Sequence, residues 1–121
     1  MHEHGIVKAA LLTALDTAEA QGARRITAMD VVVEDPSIAE GAVRMYLDEL
    51  ATGTIAEGAE VRFRRQQATW SCWDCGAVTH GDGVCAMCGS HLVERASGPA
   101  CRIERLDVEE SPPVLDRSAT R

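Results

Sequence analysis

Ser71–His91, with the sequence SCWDCGAVTHGDGVCAMCGSH, is the stretch that decides how this chain is organised. It is dense in cysteine, glycine and polar residues and has no helical period. Such a segment cannot bury a hydrophobic core of its own, so a different interaction must hold it together. Its two C-x2-C pairs, which are separated by nine residues, contain the ligands for that interaction.

The cysteines Cys72, Cys75, Cys85 and Cys88 have the spacing of a structural metal site. One tight turn lets a C-x2-C pair present two thiolates to a single ion, and two such turns complete a tetrahedron. A glycine follows each pair, where it permits a sharp backbone turn and lets N–H groups approach the sulfurs. Four soft thiolates without an open position favour Zn(II), so the sequence predicts a structural zinc site.

Other chemistry of the same cysteines stays open. A rubredoxin-like iron centre uses the same four ligands. A redox disulfide couple fits less well, because there are two matched pairs and no thioredoxin-like βαβ unit is evident around them. His80 lies between the pairs and His91 just beyond them, and either could replace a cysteine, although both are expected to be surface histidines. Cys101 lies in a predicted strand and is expected to be a buried free thiol.

A helix and a strand are predicted at the beginning of the chain. Apolar residues recur at helical spacing from residue 6 to about residue 21, and Gly22 is well placed to end this helix in a left-handed conformation. The apolar, β-branched run Ile26–Val33 then predicts a strand, which Asp35-Pro36 interrupts.

A second helix and a second strand are predicted next. Ser37 and Glu40 have the spacing of a capping box, which predicts a helix from this point to about Leu50. After a turn, residues 59–69 alternate, with apolar side chains directed inward and arginines outward. This alternation predicts a half-exposed strand.

The last predicted strand covers residues 101–109, and the tail 111–121 is predicted to be disordered. If this strand returns to the sheet of the earlier ones, the cysteine module is an insertion. The predicted class is therefore α+β, with a small three-stranded sheet and two helices that carry an inserted four-cysteine, zinc-ribbon-like module. The predicted α+β domain comprises residues 1–69 and 100–110, and the predicted zinc-binding module comprises residues 70–99.

The acidic composition disfavours several classes of function. The formal net charge is −7, and zinc bound to four thiolates would add about −2. Such a surface repels phosphate backbones but suits cations and basic partner surfaces. No stretch has the length and hydrophobicity of a signal peptide or membrane span, and close cysteine pairs are typical of metal sites in the reducing cytoplasm. We therefore expect a cytoplasmic protein that binds neither nucleic acid nor membranes.

The beginning of the chain, Met1-His2-Glu3-His4, has a second set of metal donors. If Met1 carries a free amine, then that amine, the deprotonated amide of His2 and the His2 imidazole form fused chelate rings in one plane. Ni(II) and Cu(II) favour this nitrogen-rich tetragonal geometry, whereas Zn(II) has no preference for it. Glu3 or His4 could supply a further donor. Taken alone, however, the motif is better explained by two incidental histidines at a frayed end.

These features together resemble the HypA/HybF family of hydrogenase nickel-insertion proteins. The resemblance rests on Met1-His2-Glu3, on the stretch Gly53–Glu60, on Trp70 with the two C-x2-C pairs that follow it, and on a closing strand that ends Leu106–Glu109. It covers residues 1 to about 109. The chain departs from the family in the residues that follow its Met-His-Glu, in its short nine-residue spacer and in its additional tail.

The resemblance implies a nickel metallochaperone and not an enzyme, with no catalytic residues. The implied nickel ligands are the Met1 amine, the backbone and imidazole nitrogens of His2 and the backbone amide of Glu3, and the four cysteines are the implied zinc ligands. Nickel is then the transferable ion and zinc the structural one. Some family members have an acidic residue near the nickel site where this chain has Glu40, although Glu40 also fits the predicted helix cap. His4 is the other candidate for the nickel shell.

The partners implied by the resemblance are the GTPase HypB and the large subunit of NiFe hydrogenase, and in some organisms urease accessory proteins. A monomer and a homodimer are both compatible with the sequence. The alternative is a zinc-ribbon adaptor or nucleic-acid-binding protein without a nickel role, to which Arg62, Arg64 and Arg65 would contribute a basic strand. Those arginines better fit a solvated sheet face, because the chain is acidic and has four scattered aromatic residues. A catalytic zinc would need an open coordination position, which four cysteines close.

Overall fold

The structure is a computed structural model in which residues 2–110 are described, apart from the side chain of His2. The elements in chain order are α1 (His2–Ala20), β1 (Ala23–Val33), α2 (Glu40–Ala51), β2 (Glu60–Arg65), β3 (Ala68–Cys72), β4 (Val78–Gly81), β5 (Val93–Arg95) and β6 (Cys101–Glu110). The tail 111–121, for which disorder is predicted above, lies outside the described residues. Neither helix in the described range is long and apolar enough to cross a membrane.

The six strands form two three-stranded sheets. In the first sheet, with the order β2-β1-β6, β1 pairs in parallel with β2 and antiparallel with β6. The second sheet has the order β4-β3-β5 and is antiparallel throughout. Because β6 returns to β1, the second sheet and its cysteines are inserted between two strands of the first sheet. The predicted α+β class with an inserted module is confirmed.

The first sheet contains a βαβ unit that the sequence analysis did not predict. Parallel strands need a crossover connection, which α2 provides between β1 and β2. The single strand predicted over residues 59–69 is wrong, because the chain leaves β2 at Gln66-Gln67 and enters β3 in the other sheet. The predicted alternation within β2 is confirmed, since Val61 and Phe63 are half-buried between exposed neighbours. Alternation therefore does not reveal where a chain changes sheets.

Two other elements begin earlier than predicted. α1 starts at His2 and not at residue 6. The first turn lacks the apolar period on which the helix prediction was based. Its acidic Glu3 nevertheless lies favourably at the positive end of the helix dipole. Gly22 follows the helix with a φ of 76°, as predicted for a left-handed end. β1 starts at Ala23 because its first residues pair with the end of β6.

The predicted capping box before α2 is wrong. The N-cap residue is Ala39, and no side chain caps this helix. Ser37 instead donates its hydroxyl and its backbone N–H to the carboxylate of Asp35, at 2.7 and 2.9 Å. Glu40 forms an ion pair with Arg44 at 2.8 Å. Ser37 is thus used by the turn that follows β1, a local alternative that serine readily adopts.

The hydrophobic core lies between the two helices and one face of the first sheet. Its buried members are Val7, Leu11, Ala18, Ile26, Met29, Val31, Val33, Ile38, Val43, Leu47, Ala51, Ala56 and Cys101. Leu50, at the end of the predicted apolar face of α2, is only partly buried. Residues 64–99 contribute no side chain to this core. The inserted sheet must therefore be stabilised in another way.

Glu34 connects the two sheets. It directly follows β1, its side chain is buried, and its carboxylate accepts hydrogen bonds from Arg95, Ser97 and Arg102, each at 2.7 Å. Gln66 adds a weaker bond at 3.2 Å. Arg95 belongs to β5 of the second sheet and Arg102 to β6 of the first. Because a buried carboxylate is stable only with such partners, these bonds hold the second sheet against the first.

The protonation of Glu34 follows from this environment. Burial raises the pKa of the carboxyl, but the hydrogen bonds from Ser97 and Arg102 and the charges of Arg102 and Arg95 outweigh burial. The pKa of Glu34 is therefore lower in the folded chain than its ordinary value. A carboxyl of this kind stabilises the fold when it is ionised.

We expect Glu34→Gln to lower the free energy of unfolding of the zinc-loaded protein by about 1–3 kcal/mol, because two arginines lose their carboxylate. Since the folded pKa is the lower one, this stabilisation is present above the ordinary value of about 4.3 and is lost as pH falls through the folded pKa. Urea unfolding of both proteins from pH 7 to pH 3 measures the difference. Glu109→Gln, which removes an exposed pair with Arg24, is the control and should cost less than about 1 kcal/mol. A difference that does not shrink below about pH 4 would contradict this account.

Candidate metal centre

The four predicted zinc ligands converge on one point. The sulfur atoms of Cys72, Cys75, Cys85 and Cys88 all lie within 4.8 Å of one another. The sulfurs of Cys72 and Cys88 are 3.7 Å apart, and those of Cys75 and Cys85 are 3.6 Å apart. An ion bound tetrahedrally at 2.3 Å from each sulfur would hold its ligands about 3.8 Å apart. The arrangement therefore fits one Zn(II).

Both C-x2-C turns have the same backbone geometry. In the first turn, the N–H of Cys75 donates to the sulfur of Cys72 at 3.5 Å, and the N–H of Gly76 donates to the Cys72 carbonyl at 3.0 Å. The turn Cys85–Gly89 repeats the two bonds at 3.5 and 2.9 Å. The glycine of each turn has a φ of 77°, which side chains disfavour. The prediction that each turn needs a glycine for its backbone conformation is confirmed. The N–H groups directed at the sulfurs, however, belong to the second cysteine of each turn and not to the glycine.

The second sheet supports the metal centre through Trp70. Its indole N–H donates to the carbonyl of Gly81 at 2.7 Å, which ties β3 to the end of β4. The guanidinium of Arg95 lies 5.3 Å from the centre of the same ring. Because Arg95 also binds Glu34, the strand that ends in Cys72 is anchored to the junction between the sheets.

The surroundings favour ionisation of Cys85 and oppose ionisation of its neighbours Cys75 and Cys88. The backbone N–H of Cys88 is the main cause that lowers the pKa of Cys85 to about 6. The N–H of Ser90 lowers the pKa of Cys88, but burial and the neighbouring thiols outweigh it and raise this pKa to about 12. Four adjacent thiolates repel one another, and a divalent ion removes that repulsion. The donor set is therefore suited to a bound metal.

The redox alternative is not favoured by this geometry. All five cysteines are free thiols. The sulfur pairs at 3.7 and 3.6 Å connect one turn to the other, whereas a redox couple would join the two cysteines within a turn. The βαβ unit of the first sheet contains neither C-x2-C pair. A rubredoxin-like iron centre would use the same four sulfurs, so metal content distinguishes it from zinc.

The three competing ligands lie elsewhere. Among the described side chains, the group of three or more converging histidine, cysteine or acidic ligands consists of the four cysteines alone. His80 and His91 are exposed, and Nδ1 of His80 lies 3.5 Å from the hydroxyl of Thr69. Cys101 is buried in the core, where burial raises the pKa of its thiol, as expected for a buried free cysteine.

The structure describes only part of the predicted nickel site. Met1 and the side chain of His2 lie outside the described residues, and Glu3 is half-buried in the first turn of α1. The ring of His4 packs edge-on against Tyr46, with 5.2 Å between the ring centres. Glu40 binds Arg44, as described above. The structure thus gives His4 and Glu40 separate partners.

The three arginines of the basic strand are engaged by neighbouring groups. Arg62 binds the carboxylates of Asp30 and Asp107 at 2.5 and 3.0 Å, and Arg64 binds Glu104 at 2.9 Å. Arg65 donates to backbone carbonyls and lies over Phe63. Arginines that are paired in this way are poor phosphate ligands, which agrees with the prediction of a solvated sheet face and disfavours a nucleic-acid-binding role.

The sequence analysis missed the role of Glu34. The sequence feature that could have indicated this role is the charged residue directly after the apolar run that ends at Val33. A charge that is buried next to such a run requires partners. Nothing in the sequence shows which residues those partners are, because Arg95 and Arg102 lie 61 and 68 positions further along the chain.

Comparison with known proteins identifies the family. The family model described as "Hydrogenase/urease nickel incorporation, metallochaperone, hypA" matches residues 1–108. The hydrogenase maturation factor HypA of Thermococcus gammatolerans is 30% identical and that of Pyrococcus furiosus 32% identical, each over 91% of this chain and 97% of the relative. The solution structure of the Ni metallochaperone HypA from Helicobacter pylori has the same fold, with a TM-score of 0.76, 17% identity and coverage of 90% of this chain and 98% of that one. The family match spans the first residues, both helices and all four cysteines, and the chain therefore belongs to the HypA family of nickel-incorporation metallochaperones.

Proposed function

We propose that this chain is a nickel metallochaperone that binds Ni(II) at Met1-His2-Glu3 and delivers it during maturation of NiFe hydrogenase. The observation that carries the proposal is the family match over residues 1–108, because it includes both the donor set at Met1-His2-Glu3 and the four cysteines. Two relatives above are hydrogenase maturation factors, which supports hydrogenase as the recipient.

The two metal sites have different tasks in this proposal. The proposed nickel-binding domain comprises residues 1–67 and 100–110, and the zinc module comprises residues 68–99, two residues more than predicted because β3 begins at Ala68. Zinc in a closed four-sulfur site exchanges slowly and replaces a hydrophobic core. Nickel must be handed on, so its site has to be open and readily protonated. Nitrogen donors at the beginning of α1 meet both requirements.

The helix start is suited to this chemistry. His2 is the first residue of α1, where a helix supplies no carbonyl acceptor for the backbone N–H. Losing the proton from this amide places negative charge at the positive end of the helix dipole, which stabilises it. A neutral imidazole, a neutral amine and the backbone amide of Glu3 then complete the donor set, and protons compete with nickel for the imidazole and the amine. Acidification therefore favours release.

The remaining features of the proposal concern its setting. The proposed partners are the GTPase HypB and the large subunit of the hydrogenase. The chain has no catalytic role of its own, because a closed zinc site offers no position for substrate. It acts in the reducing cytoplasm, where cysteines form no disulfides and remain available to bind zinc.

Nickel titration tests the proposal directly. We expect about one Ni(II) per chain, with binding lost in His2→Ala and in a protein extended by one residue before Met1, because either change destroys the chelate. Isothermal titration calorimetry gives the stoichiometry, and zinc content and circular dichroism should remain unchanged. His91→Ala, which removes an exposed histidine, is the control and should bind nickel normally. Full nickel binding in both altered proteins would show that the site is elsewhere.

A second experiment examines the outer nickel shell. Because His4 packs on Tyr46 and Glu40 binds Arg44, we expect His4→Phe and Glu40→Gln to change nickel affinity less than threefold. A threefold change in affinity corresponds to about 0.7 kcal/mol of binding free energy, which is less than a metal ligand contributes. Competition titration with a nickel chelator measures the affinities. A loss of tenfold or more in either variant would make that residue a ligand.

The zinc site is tested by comparing cysteines. We expect Cys72→Ser to lose the bound zinc and the structure of residues 68–99, because the metal is the core of the second sheet. Cys101→Ala should retain one zinc per chain, since its thiol lies in the hydrophobic core. Elemental analysis measures zinc and iron, and amide NMR spectra report on the second sheet. Zinc retained in Cys72→Ser, or iron in the wild type, would refute the assignment.

A further inference from the structure

The zinc module exposes an unusual share of apolar side chains. Of the seven large apolar side chains that are exposed within the described range, five lie between residues 73 and 92. They are Trp73, Val78, Val84, Met87 and Leu92. Apolar side chains scattered singly on a surface need no explanation, but a concentration of them marks an interaction site.

Three of these residues flank the metal centre. The N–H of Trp73 donates to the carbonyl of Leu92 at 2.9 Å, so the two residues are neighbours. Trp73 directly follows Cys72 and Met87 directly precedes Cys88, and the sulfurs of these cysteines are 3.7 Å apart. Trp73, Met87 and Leu92 are 73%, 74% and 62% exposed. We call these three side chains the apolar patch.

The surroundings of the apolar patch are acidic. Residues 68–99 contain three acidic residues and one basic residue, Arg95, which is bound to Glu34. Zinc with four thiolates adds about −2, and two of its ligands, Cys75 and Cys88, are exposed. Glu94 is exposed two residues after Leu92. The apolar patch thus lies in a field of negative charge without a free cationic side chain in the module.

This combination selects one kind of occupant. Nucleic acid and anionic lipid surfaces are repelled by the negative field, and a second copy would bring two such fields together. We propose that the apolar patch docks a partner protein whose apolar pocket is bordered by lysine or arginine side chains. Tryptophan and methionine are enriched at protein interfaces, and tryptophan is a frequent energetic centre of them. Opposite charge around the pocket accelerates association and makes it sensitive to salt.

The inference adds a recognition surface that is separate from the nickel ligands, and it rests on the proposed function because the partner is sought among the proteins of nickel insertion. The probes are the nickel-free hydrogenase large subunit and the GTPase from the same organism, with full-length, zinc-loaded chain. We expect at least one of them to bind, and we expect Trp73→Ala or Met87→Gln to weaken that binding tenfold or more. Surface plasmon resonance at 50 and 300 mM salt measures the affinity, which should fall at the higher salt.

Matched controls distinguish the apolar patch from exposed apolar side chains in general. Leu12→Ala and Met45→Ala remove side chains of α1 and α2 that are 49% and 54% exposed, and they should leave binding within twofold. Glu94→Lys should weaken binding, whereas Glu49→Lys on α2 makes the same change of net charge and should not. Nickel titration of every variant should match the wild type, which separates failure of docking from failure of the proposed function.

Three results would overturn the inference. The first is unchanged binding in Trp73→Ala and Met87→Gln with zinc content intact. The second is binding by the wild type to neither probe, because the apolar patch would then have no such partner in nickel insertion. The third is self-association of the wild type in sedimentation velocity that Trp73→Ala abolishes, because the apolar patch would then join two copies of the chain.

Discussion

The buried carboxylate of Glu34 holds the two halves of this chain in one arrangement. The inserted sheet is connected to the first sheet at two points of the chain, and its side chains do not enter the hydrophobic core. Glu34 provides the missing connection, because it accepts hydrogen bonds from both sheets at once. Arg95 extends the link to Trp70 and hence to the strand that ends in a metal ligand. The position of the metal centre relative to the core thus depends on one charged group without exposed surface.

Within the inserted sheet, metal and sulfur replace hydrophobic packing. The buried residues between positions 64 and 100 are Ala68, Cys72 and Cys85, two of which belong to the cysteine cluster that fits a zinc ion. A segment this small cannot gain enough from apolar burial, and metal binding supplies folding free energy directly. The same arrangement leaves its larger apolar side chains outside. Exposed tryptophan and methionine beside the four sulfurs are therefore available for recognition.

Ion pairs determine how the charges of the first sheet are distributed. Arg62 and Arg64 are matched by acidic residues of the other two strands of this sheet, so these two positive charges are held in internal pairs. The remaining acidic residues leave a chain with a net charge of −7. Such a protein suits handling of cations and docking on basic partners, and it disfavours phosphate ligands. The proposed nickel donors would not compete with the four cysteines for the same ion, because sulfur suits zinc and planar nitrogen suits nickel.

Much of the fold and part of the site could be predicted from local sequence. The C-x2-C spacing predicts four converging ligands because the geometry of a turn is local, and the apolar periods of α1 and β1 predict elements because one face must be buried. The turn before α2 was mispredicted because its local sequence is compatible with two arrangements. Ser37 had two local partners available, and only the folded backbone after β1 shows that Asp35 is the one it binds.

By itself, the sequence determined the α+β class and the four converging cysteines, and it predicted nitrogen donors at Met1-His2-Glu3, since each of these depends on residues only a few positions apart. The tertiary structure alone decided that residues 59–69 divide between two sheets and that Glu34 binds arginines 61 and 68 positions away. It also decided that His4 packs on Tyr46. These outcomes depend on which distant segments come into contact when the core and the metal centre form, and local sequence patterns do not predict such contacts.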